Sequence, residues 1–255
     1  MNLEELLDEL RTNILHDRSD LVAGDDDYLW SDATLIRYIN EAYRRFARRS
    51  FVLIDGSTPA VVNVTLAANV TEYPLHASVI SVLSARVDGS NTDLARVGHS
   101  ILSDYLRSDN VVTPFNPATI GSAAGAPFAF STDERLASSS GTLSAVTMRV
   151  YPTPRAADAG TVVKLRVARM PLADLTSGDL TAVPELPVDH HLEMLDWAAH
   201  LALRIADHDL GNPKRAAEFA GTFESHVQEA RKLVLRKLRS PRPWGFGRGG
   251  FSWGS

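Results

Sequence analysis

The chain of 255 residues contains no cysteine, which excludes disulfides, thiolate nucleophiles and zinc or iron sites held by sulfur. Long apolar runs are missing too. The most apolar stretch, residues 197–206, is interrupted by His200 and Arg204 and is far shorter than the roughly 18 apolar residues of a membrane span. Residues 1–10 carry four acids where a signal peptide would carry basic residues. We therefore expect a soluble protein made in the cytoplasm, without a membrane partner.

Motifs of catalysis and metal binding are also scarce. The helix predicted at residues 188–209 carries five residues that invite a metal interpretation: His190, His191, Glu193, His200 and His208. A zinc site on a helix usually has two histidines four positions apart, and no such pair occurs among them. We therefore expect capping and surface roles for these residues. The alternative is a metal site formed by His200 and His208 on one face of the helix. Residues 245–250 match G-x-G-x-x-G in spacing but lack the strand and helix of a dinucleotide site. These absences predict a protein that is not an enzyme and needs no metal or cofactor.

Charge is distributed unevenly along the chain. Residues 1–27 hold nine acids and two arginines, whereas residues 230–255 hold seven lysines and arginines and no acid. The formal net charge of −5 makes the whole chain a poor polyanion binder, because phosphate binding depends on clustered cations. Only the C-terminal end is basic enough to bind one.

The N-terminal part carries the apolar periodicity of helices. Apolar residues at 3, 6, 7, 10, 14 and 15 predict a first helix, followed by an acidic loop up to residue 27. A second helix is predicted to begin after Ser31, which can cap its free amides, while Trp30 packs against Leu35. Near its end lie four arginines that we expect to form a solvated helix terminus: Arg44, Arg45, Arg48 and Arg49.

The middle of the chain changes to the twofold period of strands. We predict strands at residues 61–66, 79–87, 92–97, 128–131, 143–151 and 161–170. Asp88-Gly89 is predicted to turn the second of these into a hairpin with the third. A short helix at 101–106 and a loop at 110–127 complete this β-rich segment.

Helical periodicity returns at residues 188–209, and Gly211-Asn212-Pro213 predicts a tight turn into a last helix that reaches about residue 239. Helices from the two chain ends cannot bury their apolar stripes alone. We therefore predict an α+β fold in which residues 1–55 and 184–239 form a discontinuous four-helix bundle. An antiparallel β domain is inserted at 56–183, and an extended tail occupies 240–255.

The tail combines glycine with basic and aromatic residues. A Gly-rich strip cannot fold by itself, yet large aromatic side chains are unusual in a solvated linker. In an extended tail, residues two apart, such as Trp244 and Phe246, point to the same side. We interpret the tail as an anchor for a partner protein, with a frayed terminus and a weak single-strand nucleic-acid binder as alternatives. The candidate docking residues are Arg239, Arg242, Trp244, Phe246, Arg248, Phe251 and Trp253.

Short motifs near the N-terminus resemble those of phage head-to-tail adaptor proteins. They are the Leu-rich first helix, the acidic loop, Trp30-Ser31-Asp32 with Leu35, and Ile39-Asn40-Glu41-Ala42. Their order along the chain agrees with that group.

The later part of the chain resembles, more narrowly, the tail tubular protein A group of short-tailed phages. Here Pro187-Val188-Asp189-His190-His191 opens a long helix, an Asp-rich hairpin turn follows, and the last helix contains Ala216, Phe219 and Phe223. Tyr151-Pro152-x-Pro154 before a strand fits the same group.

The resemblance implies a structural virion protein that forms a ring, usually of twelve copies, between the portal vertex and the distal tail or nozzle protein. It also implies that the ring extends the genome channel and that the C-terminal segment grips the portal. Because an acidic wall makes few phosphate contacts, we expect the first loop or β domain to help form a negative lumen that DNA passes without specific binding. The basic C-terminal helix is expected to face protein. The alternatives are another neck or tail ring protein and a virion-associated cell-wall-degrading enzyme.

Overall fold

The computed structural model describes residues 1–17, 28–97, 125–133, 146–204 and 212–238. Its helices are α1 (Leu3–Asp8), continued by a π-helical segment (Glu9–Leu15), then α2 (Asp32–Ser50), α3 (Pro59–Val62), α4 (His191–Leu203) and α5 (Pro213–Leu238). Its strands are β1 (Ile54–Asp55), β2 (Asn63–Thr65), β3 (Glu72–Pro74), β4 (Val79–Val87), β5 (Ala95–Arg96), β6 (Ala129–Asp133), β7 (Thr147–Tyr151) and β8 (Val162–Arg169). Within these ranges no helix is both long and apolar enough to cross a bilayer. The α+β class predicted from the sequence is confirmed.

The first helix begins with a capping box. The backbone N–H of Glu5 donates to the side chain of Asn2, and the backbone N–H of Asn2 donates to the carboxylate of Glu5. After Asp8 the backbone widens to a π-helical turn that still buries Leu10 and Leu15. The predicted helix therefore extends over the expected range, although its second half is wound more loosely.

Local capping signals also set the start of α2. The Ser31 hydroxyl accepts a hydrogen bond from the backbone N–H of Thr34 at 3.3 Å, which confirms the predicted cap. Trp30 and Leu35 are both buried in the same core. The helix ends where Phe51 adopts a left-handed backbone conformation with φ of 57°.

The arginines near the end of α2 are not all solvated, so that prediction was wrong for Arg45. The guanidinium of Arg45 lies 3.7 Å from the ring centroid of Trp197, and Arg49 pairs with Glu224. The sequence pattern of α2 alone did not show that α4 and α5 pack against this end.

Four helical segments share one apolar core. Buried side chains of α1 with its π-helical extension, α2, α4 and α5 form a single cluster, which also takes in Leu175 and Leu186 from the segment before α4. The α4–α5 pair is antiparallel, with α5 capped by the Asn212 side chain, which accepts from the N–H of Arg215 at 3.0 Å. This cap was predicted, whereas Gly211 and the predicted helix after residue 204 lie outside the described residues.

The strands form two sheets with a core of their own. In the first sheet β8 is central: β4 pairs along one edge, and β1 and β2 pair in succession along the other, all antiparallel. The second sheet has the order β3-β7-β6-β5. Its β5–β6 pair is parallel, the one departure from the predicted antiparallel pattern among the described strands.

The predicted hairpin after Asp88-Gly89 is only partly formed. Gly89 has φ of +78°, as a tight turn there requires. The returning chain pairs with β4 only through Arg86 and Asp93 and a bond from the N–H of Leu94 to the carbonyl of Ala85. It then leaves to form β5 in the second sheet, so the prediction of one hairpin through residue 97 was wrong.

Other strand predictions differ mainly at their ends. Residues 59–62 form a helical turn before β2, because Pro59 suits the first turn of a helix. The predicted helix at 101–106 lies outside the described residues, as do most of the predicted loop and the first residues of the strand predicted at 143–151. The division of the chain into a bundle, an inserted domain and a tail stays a prediction; β1, at residues 54–55, already belongs to the first sheet.

Candidate functional site

The seven residues predicted to dock on a partner, Arg239, Arg242, Trp244, Phe246, Arg248, Phe251 and Trp253, lie outside the described residues. Their role stays a prediction. The described helix that leads to them, α5, ends at Leu238. The end of α5 is therefore the described part of the chain nearest in sequence to the predicted docking residues.

Helix α5 is twice as long as its partner α4. Its 26 residues span ~39 Å at 1.5 Å per residue, against ~20 Å for the 13 residues of α4. The pairing of His200 with the carbonyl of Ala216, and of Asp196 with His226, shows that the first half of α5 lies along α4. The second half therefore runs past the start of α4.

Aromatic packing fixes the first half of α5. Phe223 is fully buried, with its ring centroid 5.2 Å from that of Trp197 and 5.9 Å from that of Phe46. These centroid distances are in the range of favourable aromatic pairs. Phe223 thus joins α5 to both α2 and α4, and fixes the direction in which the C-terminal half of α5 points.

The end of α5 presents apolar and basic side chains on its surface. Leu233 and Leu235 are 44% and 45% exposed. Lys232, Leu233 and Arg236, together with the acid Glu229 one turn before them, line a shallow groove along one side of the helix, since positions three and four apart face the same way. Lys232, Arg236 and Lys237 make no ion pair with any residue in the described ranges. We call residues 231–238 the basic end of α5.

A second exposed surface lies between β8 and α4. Residues 172–193 contain five acids and no lysine or arginine, and five of their large apolar side chains are exposed: Leu172, Leu180, Val183, Val188 and Leu192. Isolated exposed apolar residues are ordinary, but five of them within 22 residues of sequence make this segment a candidate interaction surface. We call residues 172–193 the acidic strip.

The acidic strip is held firmly on the helical core. The side-chain amide of Asn40 donates to the carbonyl of Leu175 and accepts from its N–H, both at 2.8 Å. The N–H of Leu3 donates to the carbonyl of Ala182. The N–H of Leu172 donates to the carboxylate of Glu185 at 2.7 Å, which brings the two ends of the intervening turn together. This surface is therefore built into the fold.

An ion network joins the acidic strip to the first sheet. The guanidinium of Arg169 lies 2.7 Å from the carboxylate of Asp55 and 2.6 Å from that of Glu185. Burial alone would raise the pKa of Asp55, but hydrogen bonds from Ser57, Thr58 and Arg169 outweigh it and hold that pKa well below its usual range. The network therefore connects the first sheet to the segment that packs on the helices.

The described histidines at the start of α4 and within it contact neighbouring segments of the fold, while His208 of the predicted site lies outside the described residues. His190 pairs with Glu193 at 2.6 Å, and the ring of His200 faces the carbonyl of Ala216. His191 is buried, which contradicts the expected surface or capping role; burial lowers its pKa, and its Nε2 donates to the carbonyl of Leu186. No group of three or more His, Asp or Glu suited to a metal occurs in the part of the chain that the structure describes.

Burial also raises the pKa of Asp196, whose carboxylate lies 3.2 Å from the ring of His226. This pair stands between α4 and α5 and is partly covered by both. Its position is that of a helix-to-helix contact.

The described residues thus present exposed apolar and charged side chains on two parts of the fold, and such surfaces can mark sites of contact with other proteins. The family model described as SU10 adaptor protein matches residues 1–245. The chain belongs to this family. No curated protein matches the chain. This adaptor is thus a structural protein of phage head-to-tail joints, a component of the virion neck, as the resemblance in the sequence implied.

The acidic strip was not predicted from the sequence. Its signal was present as a run of 22 residues with five acids, no lysine or arginine and several apolar residues. These apolar residues follow neither a helical nor a strand period, so their exposure became evident only once the turn that carries them was placed.

Proposed function

We propose that this adaptor assembles into a ring of twelve copies between the portal vertex and the distal tail or nozzle protein, and that the ring extends the genome channel. The match to the adaptor family over residues 1–245 is the observation that carries the proposal. The described geometry supports it, since α5 extends past its partner helix α4 and presents exposed apolar and basic side chains near its end at Leu238. Within the adaptors, we propose membership of the tail tubular protein A group.

The tail supplies the portal contact in this proposal. Its aromatic side chains dock on the portal protein, while Arg239, Arg242 and Arg248 pair with acidic groups there. A Gly-rich segment becomes ordered only on contact, so its affinity depends on a few buried aromatic anchors. DNA passes through the lumen without sequence-specific binding, and the subunits are made in the host cytoplasm before they join the virion.

A binding experiment with purified portal tests the contact. The full chain with Trp244, Phe246, Phe251 and Trp253 all changed to Ala is expected to lose portal binding while its thermal unfolding stays that of the wild type, since no described core residue is touched. A matched control changes Leu29 and Val70, which are exposed and outside the tail, to Ala. Full binding by the tail variant would refute the anchor role.

We also propose that the adaptor acts without catalysis. The alternative of a cell-wall-degrading enzyme predicts clearing of a peptidoglycan zymogram by the purified protein, which we do not expect. The other alternative, a more distal ring of the neck or tail, predicts binding to tail proteins in the absence of portal binding.

A further inference from the structure

We propose that the basic end of α5 in one copy docks on the acidic strip of a neighbouring copy, and that this contact joins the subunits of the ring. The inference rests on the proposed function, since it assigns the two surfaces that meet when copies of this chain assemble. The occupant of each surface is therefore a second copy of the same chain.

Charge complementarity is the first observation. The basic end of α5 holds Arg231, Lys232, Arg236 and Lys237 and no acid, whereas the acidic strip holds five acids and no lysine or arginine. Three of those acids already have a partner within the subunit: Asp174 pairs with Arg44, Glu185 with Arg169 and Glu193 with His190. The remaining acids keep the strip negative, and complementary potentials favour the correct pairing of two surfaces.

Several charges on each surface also lack an ion-pair partner among the described residues. Lys232, Arg236 and Lys237 on one side, and Asp179 and Asp189 on the other, form no ion pair with any residue in the described ranges. Among the described residues, the carboxylate of Asp179 accepts hydrogen bonds only within its own turn, from the N–H and hydroxyl of Thr181. In the proposed contact these charges meet the opposite charges of a second molecule.

Apolar side chains accompany the charges on each surface. Val188 and Leu192, which are 65% and 51% exposed, lie one turn apart where α4 begins. On the other surface Leu233 lies beside Lys232 and Arg236 in the groove of α5. A contact between the two surfaces would bury apolar area at its centre and leave the ion pairs at its rim, which is the usual anatomy of a protein interface.

The two surfaces are different patches of one chain, so their contact is heterologous. A heterologous contact repeats from copy to copy and closes into a ring when the rotation between neighbours divides a full turn. An isologous contact would stop at a dimer. The pairing of unlike surfaces is thus the kind of interface that a ring of many copies needs.

Charge reversal on the full chain tests the contact. The first variant carries Lys232→Glu and Arg236→Glu, the second carries Asp179→Lys and Asp189→Lys, and the third carries all four changes. A matched control changes Lys214 and Arg166, two exposed cations outside both surfaces, to Glu. Assembly is measured by sedimentation velocity and by negative-stain imaging of rings, in solution and on purified portal.

We expect each of the first two variants to lower the population of assembled subunits by about tenfold or more, because like charges then face each other. The third variant, in which opposite charges face each other again, is expected to assemble like the control and the wild type. Circular dichroism should show the same folded signal in all of them, since every substitution is on the surface. Assembly of either charge variant at the wild-type level would overturn the inference.

If the third variant does not recover assembly, the inference is also overturned. In that case the basic end of α5 binds something other than the acidic strip, for example the portal, and charge changes in the strip cannot compensate for those in α5. Wild-type protein that stays monomeric even on portal would refute the proposed ring and this contact together. A wild-type ring that tolerates every charge reversal would refute this contact alone.

Discussion

Replacing Arg169 by methionine removes the only cation of the ion network that Arg169 forms with Asp55 and Glu185 between the first sheet and the helical core. The side chain of Arg169 is 11% exposed, and that of Asp55 is 5% exposed. Methionine fills a similar volume, so the change leaves the carboxylates of Asp55 and Glu185 without their partner and creates little empty space.

Removing one member of a buried ion pair costs about 3–5 kcal/mol of unfolding free energy, because the other charge stays buried. Two features place Arg169→Met at the lower end of that range. The Glu185 side chain is 32% exposed and can be hydrated, and Asp55 keeps the hydrogen bonds from the N–H groups of Ser57 and Thr58. We expect a loss of about 3 kcal/mol.

Urea unfolding at pH 7, followed by circular dichroism, measures the loss. The double variant Arg169→Met with Asp55→Asn is expected to recover at least about 1 kcal/mol, since the buried unpaired charge is then gone while the amide oxygen still accepts from Ser57 and Thr58. Arg86→Met, in an exposed arginine of the first sheet, is the control. A loss of less than about 1 kcal/mol in the Arg169 variant would refute this reasoning.

Two further predictions concern the core and the dependence on pH. Phe223→Ala should lower the unfolding free energy by about 3–5 kcal/mol, because it opens a cavity between α2, α4 and α5, whereas Leu233→Ala on the surface should change it by less than about 0.5 kcal/mol. Equal effects in urea unfolding would contradict the packing of α5. The lowered pKa of Asp55 stabilises the fold fully above the ordinary aspartate pKa of about 3.9, and this contribution is lost as the pH falls below that value. Wild type should therefore lose more stability than Asp55→Asn between pH 5 and pH 3, and parallel pH curves would contradict the hydrogen bonding at Asp55.

Features set by neighbouring residues could be predicted from the sequence. The caps of α2 and α5 depend on Ser31 and Asn212 and the few backbone amides after each of them, and both are present in the structure. The turn at Gly89 is equally local. The α+β class followed from the change of apolar period along the chain, which does not need the position of any distant residue.

Features that depend on distant pairing could not be predicted in the same way. β5 belongs to the second sheet because it pairs with β6, more than 30 residues later in the chain. Arg169 meets Asp55 because β8 pairs with β1 across more than 100 residues. The packing of Arg45 on Trp197 has the same origin, so a cluster of arginines at a helix end looked solvated from the sequence alone.

The acidic strip and the basic end of α5 extend the predicted assembly role beyond the tail. The docking residues predicted from the sequence are in the aromatic C-terminal tail, which lies outside the described residues. The structure adds two surfaces on rigid elements, one fixed by Asn40 and the other by Phe223. In our proposals the tail binds the portal, while these two surfaces bind neighbouring copies.

Electron cryomicroscopy of the full chain mixed with purified portal protein tests the central claim most directly. We expect a closed ring of twelve adaptor subunits on the portal, with the C-terminal segments ordered against portal subunits and the basic end of each α5 against the next copy. Portal particles that stay bare in the presence of excess adaptor, together with an adaptor that sediments as a monomer, would contradict the account.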